Sequence, residues 1–261
     1  MTNKKLITQR FVKAAKAYGE NATAQKLIAQ NLISLLNKYK SFVEANHIET
    51  ADCTKVLELG CGSGFLTRLL IEKVNPHTLI ANDLSPFALS QLSLLSPNHH
   101  FIEGDAEKID FGSHFDLIAS ASTVQWFHDL PAFLEKSSKA LKSNGLLAIS
   151  SFLPGNLKEI HALTGIGLDY FGLTELEEIT SKYFDILDIR EEEISLRFDH
   201  PLEVLKHLKN TGVTGISSFK WTKHKLSEFT NQYHREYCLG GKYLLTYKPV
   251  YMIAQKKHNT F

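Results

Sequence analysis

The stretch Val56-Leu57-Glu58-Leu59-Gly60-Cys61-Gly62-Ser63-Gly64 decides the reading of this chain. A short apolar strand runs into a tight loop of three glycines, with a carboxylate at the strand's end. Glycine lets the backbone turn at positive φ and come within contact distance of a ligand. Glycine loops and helix N-termini already draw anions, so an acid placed just before the loop suits a cationic ligand better than a phosphate. A dinucleotide loop G-x-G-x-x-G would need glycine at position 65, where this chain has Phe65, and the Gly-Lys-Ser/Thr ending of a P-loop is absent.

Outward from this loop the chain alternates short apolar strands with helical patterns, which predicts an α/β fold with a doubly wound, mostly parallel sheet. Apolar spacing over Ala14 to Tyr39 predicts one or two helices before the sheet. Strands are expected at Lys55 to Leu59, Thr78 to Asn82, His99 to Glu103, Phe115 to Ala119 and Leu146 to Phe152. Helices are expected at Phe65 to Lys73, at Phe87 to Leu95 behind the Ser85-Pro86 start signal, from Pro131 to near Leu141, and at Leu173 to Ser181. Two long alternating stretches, Phe184 to Phe198 and Tyr243 to Gln255, read as the last two strands. The intervening segment, with helices at Pro201 to Asn210 and His224 to Glu236 around a Thr211-to-Gly215 turn, is too long for a hairpin and reads as a cap. The expected organisation is one domain over 1–261: N-terminal helices 1–50, core 55–198, cap insertion 199–242 and last strand 243–256.

In an open α/β sheet, ligands sit outside the carboxyl ends of the strands. Four features converge there. The glycine loop follows the first strand, and Asp83 follows the second, 23 residues beyond Gly60, placed to accept hydrogen bonds from ribose hydroxyls. Gly104-Asp105-Ala106 follows the third, where an acidic turn can reach an adenine amino group. Ser120-Ala-Ser-Thr-Val-Gln-Trp126 follows the fourth and faces the reactive end of the pocket. Any one of these features is as easily an ordinary turn or cap; their joint spacing points to a nucleoside ligand without a pyrophosphate.

Glu58-Leu-Gly-Cys-Gly-Ser-Gly64, Asn82-Asp-Leu-Ser85 and Glu103-Gly-Asp-Ala106 resemble the first three motifs of class I S-adenosylmethionine-dependent methyltransferases. The resemblance implies a seven-stranded sheet with an antiparallel last strand, and S-adenosylmethionine as the cationic nucleoside. Outside those motifs, Tyr18-Gly-Glu-Asn-Ala-Thr-Ala-Gln25, Ser122-Thr-Val-Gln-Trp126, the His200 to Gly212 segment and Leu244-Leu-Thr-Tyr247 are similar to the malonyl-[acyl-carrier protein] O-methyltransferases of biotin synthesis. Many relatives have an apolar residue where this chain has Asn82, which leaves the ribose contact intact. Cofactor contacts are thereby expected from Glu58, Gly60, Gly62, Gly64, Asp83, Leu84, Asp105, Ala106, Ser120 and Gln25.

The reaction this implies moves a methyl group to the free carboxylate of a malonyl thioester, on acyl carrier protein or coenzyme A. A carboxylate is ionised at neutral pH, so no general base is needed, and no Ser/His/Asp or Cys/His arrangement stands out. Expected positioning residues are Tyr18 and Gln125 as neutral donors, and Lys206, His207 and Lys209 from the cap helix. The other readings are a methyltransferase of the same fold acting on a different small molecule, such as a quinone precursor, and a non-catalytic binder of the same ligand.

Composition sets the outer bounds. A hydrophobic fraction of 43% and a charged fraction of 22% are those of an ordinary globular protein. The net charge of +1 argues against a general nucleic-acid binder. No apolar run could span a bilayer, and the first residues lack the apolar core of a signal peptide, so a cytoplasmic protein is expected. Cys53, Cys61 and Cys238 are too scattered for a disulfide framework or a metal site. Lysines are frequent from Lys206 onward, including Lys220, Lys223 and Lys225, and suggest a basic face toward an acidic carrier.

Overall fold

The computed structural model describes residues 4–39, 54–92, 99–213 and 221–257. Cys53, Lys220, positions 40–50 of the expected N-terminal helices, 93–95 of the helix after the second strand and the 214–215 end of the predicted turn lie outside the described residues. The chain opens with helices α1 (Lys4–Asn21) and α2 (Thr23–Leu36). The alternating core follows: β1 (Lys55–Leu59), α3 (Phe65–Lys73), β2 (Thr78–Asp83), α4 (Phe87–Leu92), β3 (His99–Glu103), β4 (Phe115–Ala121), α5 (Leu130–Ala140) and β5 (Leu141–Phe152). After it come α6 (Lys158–Thr164), α7 (Leu173–Thr180), β6 (Phe184–Glu191) and β7 (Ile194–Phe198). The chain then runs through α8 (Pro201–Asn210), α9 (Lys223–Tyr237), β8 (Cys238–Leu239), β9 (Lys242–Tyr247) and β10 (Pro249–Lys256).

Seven strands form the main sheet in the order β3-β2-β1-β4-β5-β10-β6. The pairs β1–β2, β2–β3, β1–β4 and β4–β5 are parallel, while β10 runs antiparallel between β5 and β6. This is the expected class I topology. Successive strand residues feed opposite faces. Val56, Leu117, Leu146 and Ile253 pack with α2 and α3, whereas Leu57, Ile118, Leu147 and Met252 pack with α5 and α7. A sheet covered on both faces has no polar side, which is why its strands read as continuous apolar runs.

The two long alternating stretches do not stay in one sheet. The expected strand Phe184 to Phe198 divides into β6 and β7, and Tyr243 to Gln255 divides into β9 and β10. Their pairing nevertheless continues across the break, since Val250 faces Glu191 and Tyr247 faces Ile194. One antiparallel ribbon therefore bends at Glu192-Glu193 and Lys248, and its outer half builds a second sheet, β7-β9-β8. Gly240 and Gly241, at φ +59° and +76°, close the β8–β9 hairpin in the paired positive-φ turn that suits strand twist. The cap thus contains strands as well as helices. It also includes the unpredicted α6, which starts behind Leu157 at φ +53° without a side-chain cap to announce it.

The cap is tied to the N-terminal helix. Asn210 Nδ2 donates to Asn21 Oδ1 at 3.2 Å. A Cβ on Gly212, at φ +73°, would sit 2.7 Å from the Phe11 ring, so only glycine lets α8 end against α1.

Candidate functional site

β1 delivers the glycine loop to the carboxyl edge of the sheet. The amides of Gly60 and Cys61 both donate to the Asn82 carbonyl, at 2.8 and 2.9 Å, so the loop is pinned to the end of β2. Gly60 has φ +71°, and a Cβ there would lie 2.2 Å from Thr123 Oγ1, which leaves no room for a side chain between the loops after β1 and β4. Asp83 closes the arrangement: Oδ2 accepts from the Gly62 amide and Oδ1 from the Ser85 amide, both at 2.8 Å. Each carboxylate oxygen can accept more than one hydrogen bond, so acceptor capacity remains for ligand hydroxyls. Burial pushes the Asp83 carboxyl upward, and the amides of Ser85, Gly62 and Leu84 pull against that rise.

Asn82, the departure noted above, has a defined place. Its Nδ2 donates to the carbonyls of Ile102 and Gly104 at 2.8 and 2.9 Å, fixing the turn after β3 against the end of β2. Glu58 lies beneath the loop, 1% exposed, and neither carboxylate oxygen has a partner among the described residues. Burial lifts its carboxyl to about 8, with the Thr67 hydroxyl and amide pulling against the rise and the neighbouring Asp83 carboxylate adding to it. A buried acid facing no cation is costly and is complementary to a positive charge placed above it.

A cleft opens over this edge. The core supplies Gly60, Gly62, Asp83, Leu84, Asp105 and Ala106, and α1 supplies Lys4, Phe11 and Tyr18 from the other side. Lys4 Nζ pairs with Asp105 Oδ1 at 2.6 Å and also with Glu107. Glu107 Oε1 in turn accepts from the amides of His128 and Asp129, so α1, the turn after β3 and the loop before α5 are joined through one cation. Hydrogen bonds with Lys4 hold both carboxyls below their ordinary range against the opposing effect of burial.

A second, smaller cavity adjoins the first. Phe11, Tyr18, Ser122 and Trp126 line both. The polar groups belonging to the second alone are Gln25, Gln125, Asn156, Tyr170, Thr211 and Tyr247. Among the described residues, none of those lining it is Lys, Arg, His, Asp or Glu. Burial pushes the Tyr170 phenol up to about 12 and drives those of Tyr18 and Tyr247 higher, so all three keep their protons at neutral pH. Asn156 Nδ2 donates to the Tyr170 hydroxyl at 2.8 Å, leaving the phenolic proton free to donate elsewhere.

The structure brings most of the sequence-predicted residues together and sets others apart. Gly60, Gly62, Asp83, Leu84, Asp105, Ala106 and Tyr18 line the first cleft, and Gln125 and Tyr18 the second. Gln25, expected at the cofactor, lines the second cavity instead. Ser120 is fully buried and donates to the Leu59 carbonyl at 2.9 Å, joining β4 to β1. Gly64 starts α3 at φ +71° and lines neither cavity. Lys206 and Lys209 point to solvent, because Val204, His207 and Leu208 occupy the buried face of α8. His207 lies inward of the second cavity without lining it, 2.8 Å from the Tyr247 hydroxyl. Its burial drops the imidazole to about 4, so it carries no charge at neutral pH.

Lys4, Phe11, Asn156, Tyr170 and Thr211 were not expected at the site. Lys4 and Phe11 read as ordinary helix residues until α1 is folded over the sheet. Asn156 and Tyr170 sit in connections around an unpredicted helix, where nothing in the local pattern marks them. Among the described residues, no three His, Cys, Asp or Glu side chains assemble as a metal site, and no helix is long and apolar enough to cross a membrane.

Residues 57–149 match the family described as Methyltransferase domain. Among solved structures, the YcgJ protein of Bacillus subtilis superimposes with a TM-score of 0.62 at 14% identity, over 88% of this chain and 100% of that one, a likeness of fold. The malonyl-[acyl-carrier protein] O-methyltransferase of Bacteroides fragilis is 41% identical over 98% of this chain, which spans only 51% of that relative's length. The protein of that name from Bacteroides thetaiotaomicron is 40% identical over 98% of this chain and 99% of its own length; the one from Haemophilus influenzae is 39% identical over 98% and 96%. Such identity over nearly the whole chain places it in the malonyl-[acyl-carrier protein] O-methyltransferase family, within the S-adenosylmethionine-dependent class I methyltransferases.

Proposed function

We propose that this protein methylates the free carboxylate of a malonyl thioester carried on acyl carrier protein, giving the methyl ester that starts pimeloyl synthesis for biotin. The observation that carries this reading is the pair of joined cavities. One is bordered by the glycine loop and Asp83, with Glu58 buried beneath the loop, and fits a cationic nucleoside; the other is lined, among the described residues, by polar but uncharged groups. S-adenosylmethionine supplies an electrophilic methyl: the carboxylate oxygen's lone pair forms the new O–C bond, the S–C pair remains on sulfur, and no proton moves.

The residues present fit that division of labour. Asp83 holds the ribose hydroxyls, the turn at Asp105-Ala106 borders the base, and the glycine loop allows close approach of the backbone. Tyr18 and Gln125 orient the acceptor from the second cavity. A general base has no task here, because the nucleophile is already ionised, and none is among the described residues lining the second cavity. Catalysis then rests on alignment, which well-oriented sites turn into ~7–11 kcal/mol. A strong cationic clamp would blunt the carboxylate; neutral donors orient it and leave it reactive. The lysines of α9, Lys223 and Lys225, are exposed and suit an acidic carrier through steering that weakens with salt.

Mass spectrometry of malonyl-carrier protein after incubation with the enzyme and S-adenosylmethionine tests the reading. One added methyl, lost on mild ester hydrolysis, is expected. Methylation of malonyl-coenzyme A with the carrier form untouched would shift the carrier assignment, and no methyl on either would overturn the reaction.

A further inference from the structure

The two cavities meet at Phe11, Tyr18, Ser122 and Trp126, so a methyl group passing from one to the other crosses between these four side chains. Ser122 is the member with an unusual backbone. It sits at φ +54°, a left-handed conformation uncommon for a residue with a side chain and concentrated at functional sites. Both of its backbone groups are held from outside. Its amide donates to Ser150 Oγ at 3.0 Å, and its carbonyl accepts from Gln125 Nε2 at 2.6 Å. Ser150 is itself fully buried in β5, so the support is rigid. With the backbone fixed in this way, Ser122 lines both cavities, and its hydroxyl is buried without a partner among the described residues.

A buried hydroxyl without a partner carries a free-energy cost that a ligand can remove. The acceptor assigned under Proposed function, on which this inference rests, presents a carboxylate, which only accepts hydrogen bonds. Serine can donate one without adding charge. We propose that Ser122 Oγ–H donates a hydrogen bond to the malonyl carboxylate at the junction, orienting it toward the methyl group and distinguishing the free acid from its ester. Ser150 and Gln125 hold the Ser122 backbone in its strained conformation at the junction.

Two substitutions separate hydroxyl from backbone. Ser122→Gly removes the hydroxyl and accepts φ +54° freely, whereas Ser122→Ala removes the hydroxyl and keeps the strain. Both variants are expected to bind S-adenosylhomocysteine as the wild type does by calorimetry. Both should lose about 10- to 100-fold in kcat/KM on malonyl-carrier protein, the effect of one hydrogen bond to a charged group. With S-adenosylhomocysteine bound, so that no turnover occurs, the preference for malonyl-carrier protein over its methyl ester should shrink in both by a similar factor. Wild-type kcat/KM in Ser122→Gly, with or without a defect in Ser122→Ala, would overturn the hydrogen bond while leaving the reaction standing. Loss of S-adenosylhomocysteine binding by Ser122→Gly would also overturn it, assigning the residue to the shape of the cofactor cleft. No methyl transfer by the wild type would overturn the reaction and the hydrogen bond together.

Discussion

Glu58 is where a single residue's chemistry is most exposed to test. Its carboxyl is lifted to about 8 by burial, so the folded, ligand-free protein favours the protonated form more than the unfolded chain does. The stability carried by that proton is complete below the unfolded carboxyl's ordinary range and is lost as pH rises toward about 8. Between about pH 5 and about pH 8 the urea midpoint of ligand-free protein should therefore fall, and Glu58→Gln should flatten the fall. Equal slopes in the two proteins would place the titrating group elsewhere. Gly60 offers a steric test beside it. Gly60→Ala drives a Cβ into Thr123 and forces alanine to φ +71°, so a loss of about 1–3 kcal/mol in unfolding free energy is expected. The same displacement should weaken S-adenosylhomocysteine binding, since it moves the loop. The sequence showed the acid and the three glycines plainly. It did not show that Thr123, from the loop after β4, is what excludes a side chain at Gly60, because that contact exists only once β1 and β4 are neighbours.

Helix α8 shows how an element can be located correctly and faced wrongly. Its bounds, Pro201–Asn210, match the expectation, helped by His200 accepting from the Leu202 amide and by proline at the first turn. Lys206 and Lys209 do share a face, but Val204 and Leu208, four apart, mark the opposite one as buried and carry His207 with them. That choice was legible in the pattern of apolar residues. What was not legible is that α1 covers the cleft and that the described residues lining the second cavity are uncharged. The double substitution Lys206→Ala/Lys209→Ala is expected to leave kcat/KM on malonyl-coenzyme A within about twofold, as for solvent-facing changes generally. A fall of tenfold or more would return the lysines to the acceptor. In α1, Lys4→Met keeps the stem and removes the charge that Asp105 and Glu107 share. Faster amide exchange throughout α1 is expected, together with weaker S-adenosylhomocysteine binding, because the helix then loses its latch over the cleft.

At the scale of the whole molecule, period-two alternation reports that a side chain faces one layer or another, not which sheet its strand belongs to. The stretch Phe184 to Phe198 keeps its alternation through Glu192-Glu193, and Tyr243 to Gln255 keeps it through Lys248, so the bend from main sheet to cap sheet leaves no mark on the pattern. The parallel core is different: each strand there is separated from the next by helix or turn signals, and the order of motifs fixed its topology. The bend also divides labour, since β10 stabilises the sheet while β9 places Tyr247 in the second cavity. Ile253 tests that division. It is fully buried, pairs in register with Ala148 on β5 and Asp188 on β6, and packs on the face shared with α2. Ile253→Ala is expected to reduce the unfolding free energy by about 2–5 kcal/mol, the usual cost of a core truncation that leaves a cavity. In the sheet, β4 and β5 stand between β10 and the strand that carries the glycine loop. Protein that remains folded should therefore bind S-adenosylhomocysteine with unchanged affinity by calorimetry, while urea denaturation records the lost stability. A variant that kept its stability and lost the ligand would show that the cap side of the sheet and the cofactor cleft are coupled, and that the ribbon holds the site as well as the fold.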